Sequence, residues 1–166
     1  MADIQAMAAK IIKTFSIRGL TVATAESLTG GLIGATLTSV PGSSSIYLGG
    51  LIVYSRVSKT RLAKVPKSVL DQHTVVSEQT VVDMAIGAQE LLDADWVVAV
   101  TGVAGPDAQE GHEPGEVWVA VLGPRVGLGP YPVQARRFAF AGDREEIREQ
   151  TVAAALEMLQ GVLSPV

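Results

Sequence analysis

The chain has 166 residues, 48% of them hydrophobic and 18% charged, with a net charge of −4 and no cysteine. That size and apolar content suit one well-buried core, read as a single domain over 1–166, and the acidic balance argues against a nucleic-acid binder. Without cysteine there are no disulfides, no thiolate catalysis and no cysteine-held metal, which fits a cytoplasmic protein. No apolar run approaches the roughly 20 residues that span a bilayer. The start of the chain also lacks the basic-then-apolar pattern of a secretory signal, so no membrane partner is expected.

Ile4, Met7, Ala8, Ile11, Ile12 and Phe15 recur at helical spacing and predict an amphipathic helix over 3–18, stopped by Arg18 and Gly19. A short apolar strand over 20–25 follows, then a polar knot, then a helix of about 29–38. The segment 40–45 is a loop by composition, and 47–55 reads as a strand in which Gly49 and Gly50 mark a bulge or a close approach. Short helices fit 58–63 and 66–72. Ser77 is a suitable cap for a helix running to Leu92, with Val81, Ala85, Ala88 and Leu92 on one face. The run 96–100 has the length and continuous apolarity of an interior parallel strand. It opens into a loop of Gly, Pro and acids reaching Gly115. Strands follow at 116–122 and 133–140, the second near an edge because Arg136 and Arg137 interrupt it, with a hairpin connection between them. Gly142 and Asp143 precede the last helix, which carries Glu145 and Glu146 in its first turn and runs to about Leu159. Strands alternating with helices, then a hairpin, predict an α/β fold: a three-layer α/β/α sandwich with a mixed, mostly parallel sheet of about five strands.

Sites in open α/β sheets gather beyond the carboxyl ends of the strands. Glu26-Ser27, Tyr54-Ser55 and Thr101-Gly102 stand at three such ends. Ser27 lies on a sharp strand-to-helix turn, where free backbone N–H groups suit an anion or a developing oxyanion. Helix capping by Ser27 and Thr29 is the competing reading. A phosphate cradle would need a nucleotide fingerprint, and neither common one is present. A serine needs a base. His73 reads as structural and His112 as a solvated loop residue, so Lys59 is the better candidate, with Tyr54 as relay or orienter. An amine near 10.4 must be lowered by roughly three units to act near neutrality. Lys59 also belongs to a basic run, Arg56, Lys59, Arg61, Lys64 and Lys67, which reads either as a solvated face or as a patch that draws in a phosphorylated small molecule. Thr101 and Gly102 offer a hydroxyl and a close backbone approach, or simply a tight turn. Ser43, Ser44 and Ser45 can hydrogen-bond a phosphate, with Ser44 the candidate contact, or form a plain loop. The acids around His112 match no familiar metal-ligand spacing, so neither metal nor cofactor is expected.

Taken in order, these residues resemble one family. Ala25-Glu26-Ser27-Leu28-Thr29-Gly30-Gly31 is similar to the AES-x-TGG signature of the CinA C-terminal domain family. Val40-Pro41-Gly42-Ser43-Ser44, Tyr54-Ser55 with Lys59, Val76-Ser77-Glu78, Val100-Thr101-Gly102-Val103-Ala104-Gly105-Pro106 and Gly142-Asp143-Arg144 continue the match, which covers about 5–160. The resemblance implies an amidohydrolase that turns nicotinamide mononucleotide into the acid and ammonia, a step of pyridine-nucleotide salvage, usually in a homo-oligomer. It implies Ser27 as nucleophile, Tyr54 and Lys59 handling its proton, and Thr101 in the same hydrogen-bonded group. Glu26, Thr29, Gly30, Gly31, Gly102 and Ala104 are then expected to line the pocket, and Arg144 to face the substrate. The chain departs from the family's pattern at Arg56, where Asn is common, at Val57, often acidic, and at Leu28, often Cys. It departs again over 107–116, where the Gly run is missing and Glu116 stands for Thr. The alternative reading is a CinA-like module that binds a nucleotide without turnover.

Overall fold

A computed structural model describes residues 3–163. Helix α1 (Ile4–Arg18) is capped by the Asp3 side chain, buries Ala8, Ile11, Ile12 and Phe15 as one stripe, and ends at Gly19 in the left-handed conformation. Strand β1 (Val22–Glu26) is buried at every position. It is flanked on both sides by parallel partners, β2 (Tyr47–Ile52) and β3 (Trp96–Gly102). Strands β4 (Glu116–Leu122) and β5 (Val133–Ala139) add on antiparallel, giving the order β2-β1-β3-β4-β5 among the described residues. Four strands therefore run in one direction and β4 alone reverses. The sheet is mixed as expected, and β5 is an edge strand as its arginines suggested.

Side chains alternate between the two faces of the sheet. Val98 and Val100 join Ile11, Phe15, Leu37 and Leu156 under α1, α2 (Leu32–Thr38) and α6 (Arg144–Gly161). Val97 and Ala99 join Ala23, Ala25, Met84 and Ala88 under α5 (Glu78–Leu92), with α4 (Lys67–His73) beside it. The result is the expected α/β/α sandwich with one apolar cluster on each face. Burying each large aliphatic side chain there contributes about 1.5–3 kcal/mol.

Two boundaries differ from expectation at the end of the sheet that matters most. The strand expected over 47–55 stops at Ile52, and Val53 makes one more bond, its N–H to Glu26 O at 2.8 Å. The chain then leaves the sheet and starts α3 (Arg56–Arg61) from a capping box of Ser55 and Ser58. Helix α2 begins at Leu32 rather than near 29, because Gly30 and Gly31 have φ of +59° and +101°. Left-handed residues make the turn and cannot belong to the helix. Among the described residues no helix is long and apolar enough to cross a membrane.

Candidate active site

The carboxyl ends of β1, β2 and β3 meet at one cleft, and its deepest polar contact joins two of the singled-out residues. Lys59 Nζ donates to Ser27 Oγ at 2.8 Å and to Val53 O at 2.8 Å. Lys59 is 1% exposed and Ser27 6%. Desolvation lowers the Lys59 pKa from 10.5 to about 8, against the opposing pull of the Glu110 carboxylate. The amine is placed this way because α3 starts three residues after β2 leaves the sheet, which turns its buried face back over the end of β1. Lys59 therefore does not behave as part of a solvated basic face, whereas Arg61, Lys64 and Lys67 of the same run are exposed.

Ser27 sits at the first position of a tight turn closed by Gly30 N–H donating to Ser27 O at 3.0 Å, and its own N–H donates to Val100 O at 3.2 Å. The cleft is lined by Ser27, Leu28, Tyr54, Lys59, Thr101 and the 102–105 lip, with Arg56, Glu110 and Arg144 among its outer residues. Of the turn that follows β1, Ser27 and Leu28 line the cleft, and Thr29, Gly30 and Gly31 do not. The Gly30 N–H is spent inside the turn, while the N–H groups of Leu28, Ala104 and Gly105, all on the cleft wall, make no hydrogen bond among the described residues.

Several expected pocket residues have other tasks. Glu26 is 1% exposed and faces the start of α2, not the cleft. Its Oε1 accepts from Thr29 Oγ1 at 2.7 Å and Ile33 N–H at 2.9 Å, and its Oε2 accepts from Gly34 N–H at 3.0 Å. A carboxylate at a helix start satisfies donors that have no partner within the helix, so Glu26 and Thr29 build the turn that carries Ser27. Gly30 and Gly31 supply its left-handed backbone. Gly102 allows β4 to come close: a Cβ there would lie 2.7 Å from Glu116 O. Gly102 and Ala104 both line the cleft. Ser44 does not: it precedes β2, whose Tyr47 pairs with Val22 at the start of β1, so it lies exposed at the opposite end of the sheet. That separation was readable in advance, since a residue before a parallel strand lies at its amino end.

Tyr54 and Thr101 reach the cleft but not the Ser27–Lys59 bond. Tyr54 is 60% exposed at the mouth, where its OH accepts from Arg144 Nη2 at 2.9 Å. It follows Val53 in an extended stretch, and with Val53 buried its side chain faces the other way. Thr101 Oγ1 donates its only proton to Val75 O at 2.6 Å. Arg144 also donates to Gly105 O, so it spans the mouth from one lip to the other. His112, expected to be solvated, is tied to Thr74 Oγ1 at 2.7 Å and to Glu116 Oε2 at 3.0 Å. Arg56 donates to Leu70 O and pairs with Asp71, and lies 3.5 Å from Glu110 Oε1. Glu110 Oε2 in turn accepts from Val75 N–H at 2.9 Å. Two contributors escaped the sequence reading: the Val53 carbonyl and Arg148, whose Nε donates to Leu28 O at 3.0 Å and Nη2 to Thr29 O at 3.2 Å. The signal for Arg148 was its place one helical turn after Arg144.

The CinA C-terminal domain model matches residues 4–163. The chain belongs to this family. It is 38% identical to the nicotinamide-nucleotide amidohydrolase PncC of Escherichia coli K12, over 95% of this chain and 93% of that protein. It is 41% identical to a CinA-like protein of Geotalea uraniireducens over 90% of this chain. The chain spans about a third of the length of that relative and of several other curated CinA relatives. A crystal structure of the competence/damage inducible protein CihA from Agrobacterium tumefaciens superposes with a TM-score of 0.91 at 36% identity, over 99% of this chain and 98% of that one.

Proposed function

We propose that this chain is a serine amidohydrolase of nicotinamide mononucleotide, with Ser27 as nucleophile and Lys59 as its base. The carrying observation is the buried 2.8 Å contact between Lys59 Nζ and Ser27 Oγ. The likeness to the Escherichia coli amidohydrolase supports the substrate. With a pKa of about 8, about a tenth of the amine is unprotonated at pH 7. The neutral amine takes the hydroxyl proton as Ser27 Oγ forms a bond to the carboxamide carbon. The carbonyl oxygen becomes an oxyanion next to the free Leu28 N–H, the residue after the nucleophile being the usual donor at such a turn. The protonated Lys59 returns its proton to the departing nitrogen as the C–N bond breaks and ammonia leaves. Water then attacks the acyl ester, and the acid and free Ser27 are regenerated.

Substrate orientation follows from the cleft's size and rim. Its volume, about 180 Å³, is below the roughly 300–1,000 Å³ of sites that enclose a drug-sized ligand. The carboxamide end enters, and the ribose phosphate lies across the mouth. Arg144, which touches only neutral oxygens, is the cation placed to meet the phosphate there. Arg56 is already neutralised by Asp71 and Glu110. A larger cavity of about 480 Å³ between β5 and α6, floored by Phe138 and Phe140, holds no nucleophile–base pair.

The test is ammonia release from nicotinamide mononucleotide by the purified protein and by Ser27→Ala. Turnover is expected to fall by about 10³-fold or more in the variant. Calorimetric binding of the nucleotide with no ammonia released would instead make the chain a binding module. Turnover unchanged by Ser27→Ala would remove Ser27 from the chemistry.

A further inference from the structure

We infer that Arg148 is a positioning residue for the nucleophile: from α6, outside the cleft, it braces the turn that carries Ser27. The inference rests on Ser27 being the nucleophile, not on which amide it attacks. The turn's two central residues, Leu28 and Thr29, are 4% and 0% exposed, so their carbonyls have little access to water. Arg148 Nε is the one donor to Leu28 O among the described residues, at 3.0 Å, and its Nη2 shares Thr29 O, at 3.2 Å, with the Leu32 N–H at 3.0 Å. The guanidinium pairs with no carboxylate among the described residues. A charged donor spent wholly on two backbone oxygens makes hydrogen bonds roughly twice as strong as neutral ones. The planar fork suits this arrangement, since it fixes two successive peptide planes at once.

The consequence for chemistry is geometric. Each peptide is planar and trans, so a carbonyl held on one side sends its N–H to the other. With the Leu28 and Thr29 carbonyls held against α6, the turn cannot rotate about its centre. The Ser27 side chain and the Leu28 N–H, which leave the turn just before it, keep a fixed relation to Lys59. The closing Gly30 N–H bond and the Leu32 N–H bond hold the Thr29–Gly30 plane, but they leave the Leu28–Thr29 plane free to flip, and that is the plane whose carbonyl Arg148 Nε holds. Arg144, one turn earlier on the same helix, grips the cleft mouth at Gly105 and Tyr54. The first two turns of α6 therefore join the mouth to the nucleophile's turn.

The experiment uses the whole chain with Arg148→Met, which keeps the aliphatic stem, and Arg148→Lys, which keeps the charge but not the fork. Two readouts are taken: kcat and KM for ammonia release, and the rate at which phenylmethylsulfonyl fluoride sulfonylates Ser27, followed by mass spectrometry. A misplacement of about 1 Å costs on the order of 100-fold, so kcat in Arg148→Met should fall by roughly that factor, with KM changed by less than about threefold. Sulfonylation should slow in parallel, Arg148→Lys should retain more of both rates, and millimolar guanidinium should restore part of the Met variant's activity. A folded Arg148→Met with wild-type kcat and sulfonylation rate overturns the inference, as does a loss confined to KM. If the Met variant does not fold, wild-type rates in Arg148→Lys overturn it equally. Slowed sulfonylation in a protein whose wild type releases no ammonia supports the brace and sinks the amidase reading. Ammonia release at one kcat in wild type and variant does the reverse.

Discussion

Arg56 and Lys59 lie three residues apart on one short helix and have opposite surroundings. Arg56 stands at the rim, its side chain 39% exposed, against Asp71 and Glu110. Lys59 is 1% exposed and touches only a hydroxyl and a carbonyl. The difference shows how one α3 supplies both a fixed wall and a desolvated amine. A guanidinium paired with carboxylates is held in place as structure; a desolvated, unpaired amine moves toward the neutral form that a general base requires.

The sharpest way to break this contrast is to remove the amine. Lys59→Met should lower kcat by about 10³-fold, within the range of lost general-base catalysis, as read by ammonia release. It also exposes a stability signature. The folded pKa, about 8 against 10.5, means that the native wild type binds fewer protons than the unfolded chain between those values. Wild-type stability relative to the Met variant should therefore rise as pH climbs from 8 to 10.5, by about 3 kcal/mol in all, and be level on either side. Urea melts at pH 7 and pH 10.5 measure it, and a flat difference would show that the amine is not desolvated.

Next in size is the buried support beneath Ser27. Glu26→Gln replaces a carboxylate that accepts three bonds with a group having one acceptor oxygen and two protons to place. Hydrogen bonds to charged groups contribute about 1.5–3 kcal/mol each, so a loss of about 2–3 kcal/mol is expected in denaturant unfolding. A loss below a few tenths would mean that the α2 start does not depend on it.

The smallest effect sharpens the rim. Glu110 raises the Lys59 pKa, so Glu110→Gln should let the amine lose its proton at lower pH. The acid limb of the kcat/KM profile should then move down, by less than about one pH unit given solvent screening of a half-exposed carboxylate. A limb that moves up would contradict the sign of the interaction.

How much of this was visible in the sequence varies by the kind of force involved. Periodicity displayed α1, α5 and β3 because burial on one face or both leaves a repeating trace. The Ser27 turn was visible from small residues following a strand. Lys59 stands out as a candidate base by elimination of the histidines and again by the family motif, but its burial is not separable by composition from the exposure of Arg61 or Lys64, because desolvation is a tertiary property. Glu26 and Thr29 sit in the turn with their side chains bonded to each other and Glu26 bonded to the start of α2, an arrangement the motif does not record, since it ties residues to a site without saying which of them builds the turn and which faces the cleft. Tyr54 and Thr101 line the cleft with their hydroxyls bonded to Arg144 and to the Val75 carbonyl, long-range contacts that no local pattern records.

The Val53 carbonyl carries one last implication. An amine anchored to a carboxylate would forfeit an ion pair on each deprotonation. Lys59 is anchored to a neutral oxygen instead, at 2.8 Å. A neutral primary amine still has two hydrogens and one lone pair. In the proposed mechanism one hydrogen stays on the Val53 oxygen while the lone pair receives the serine's proton, so the side chain changes charge state without swinging from its seat.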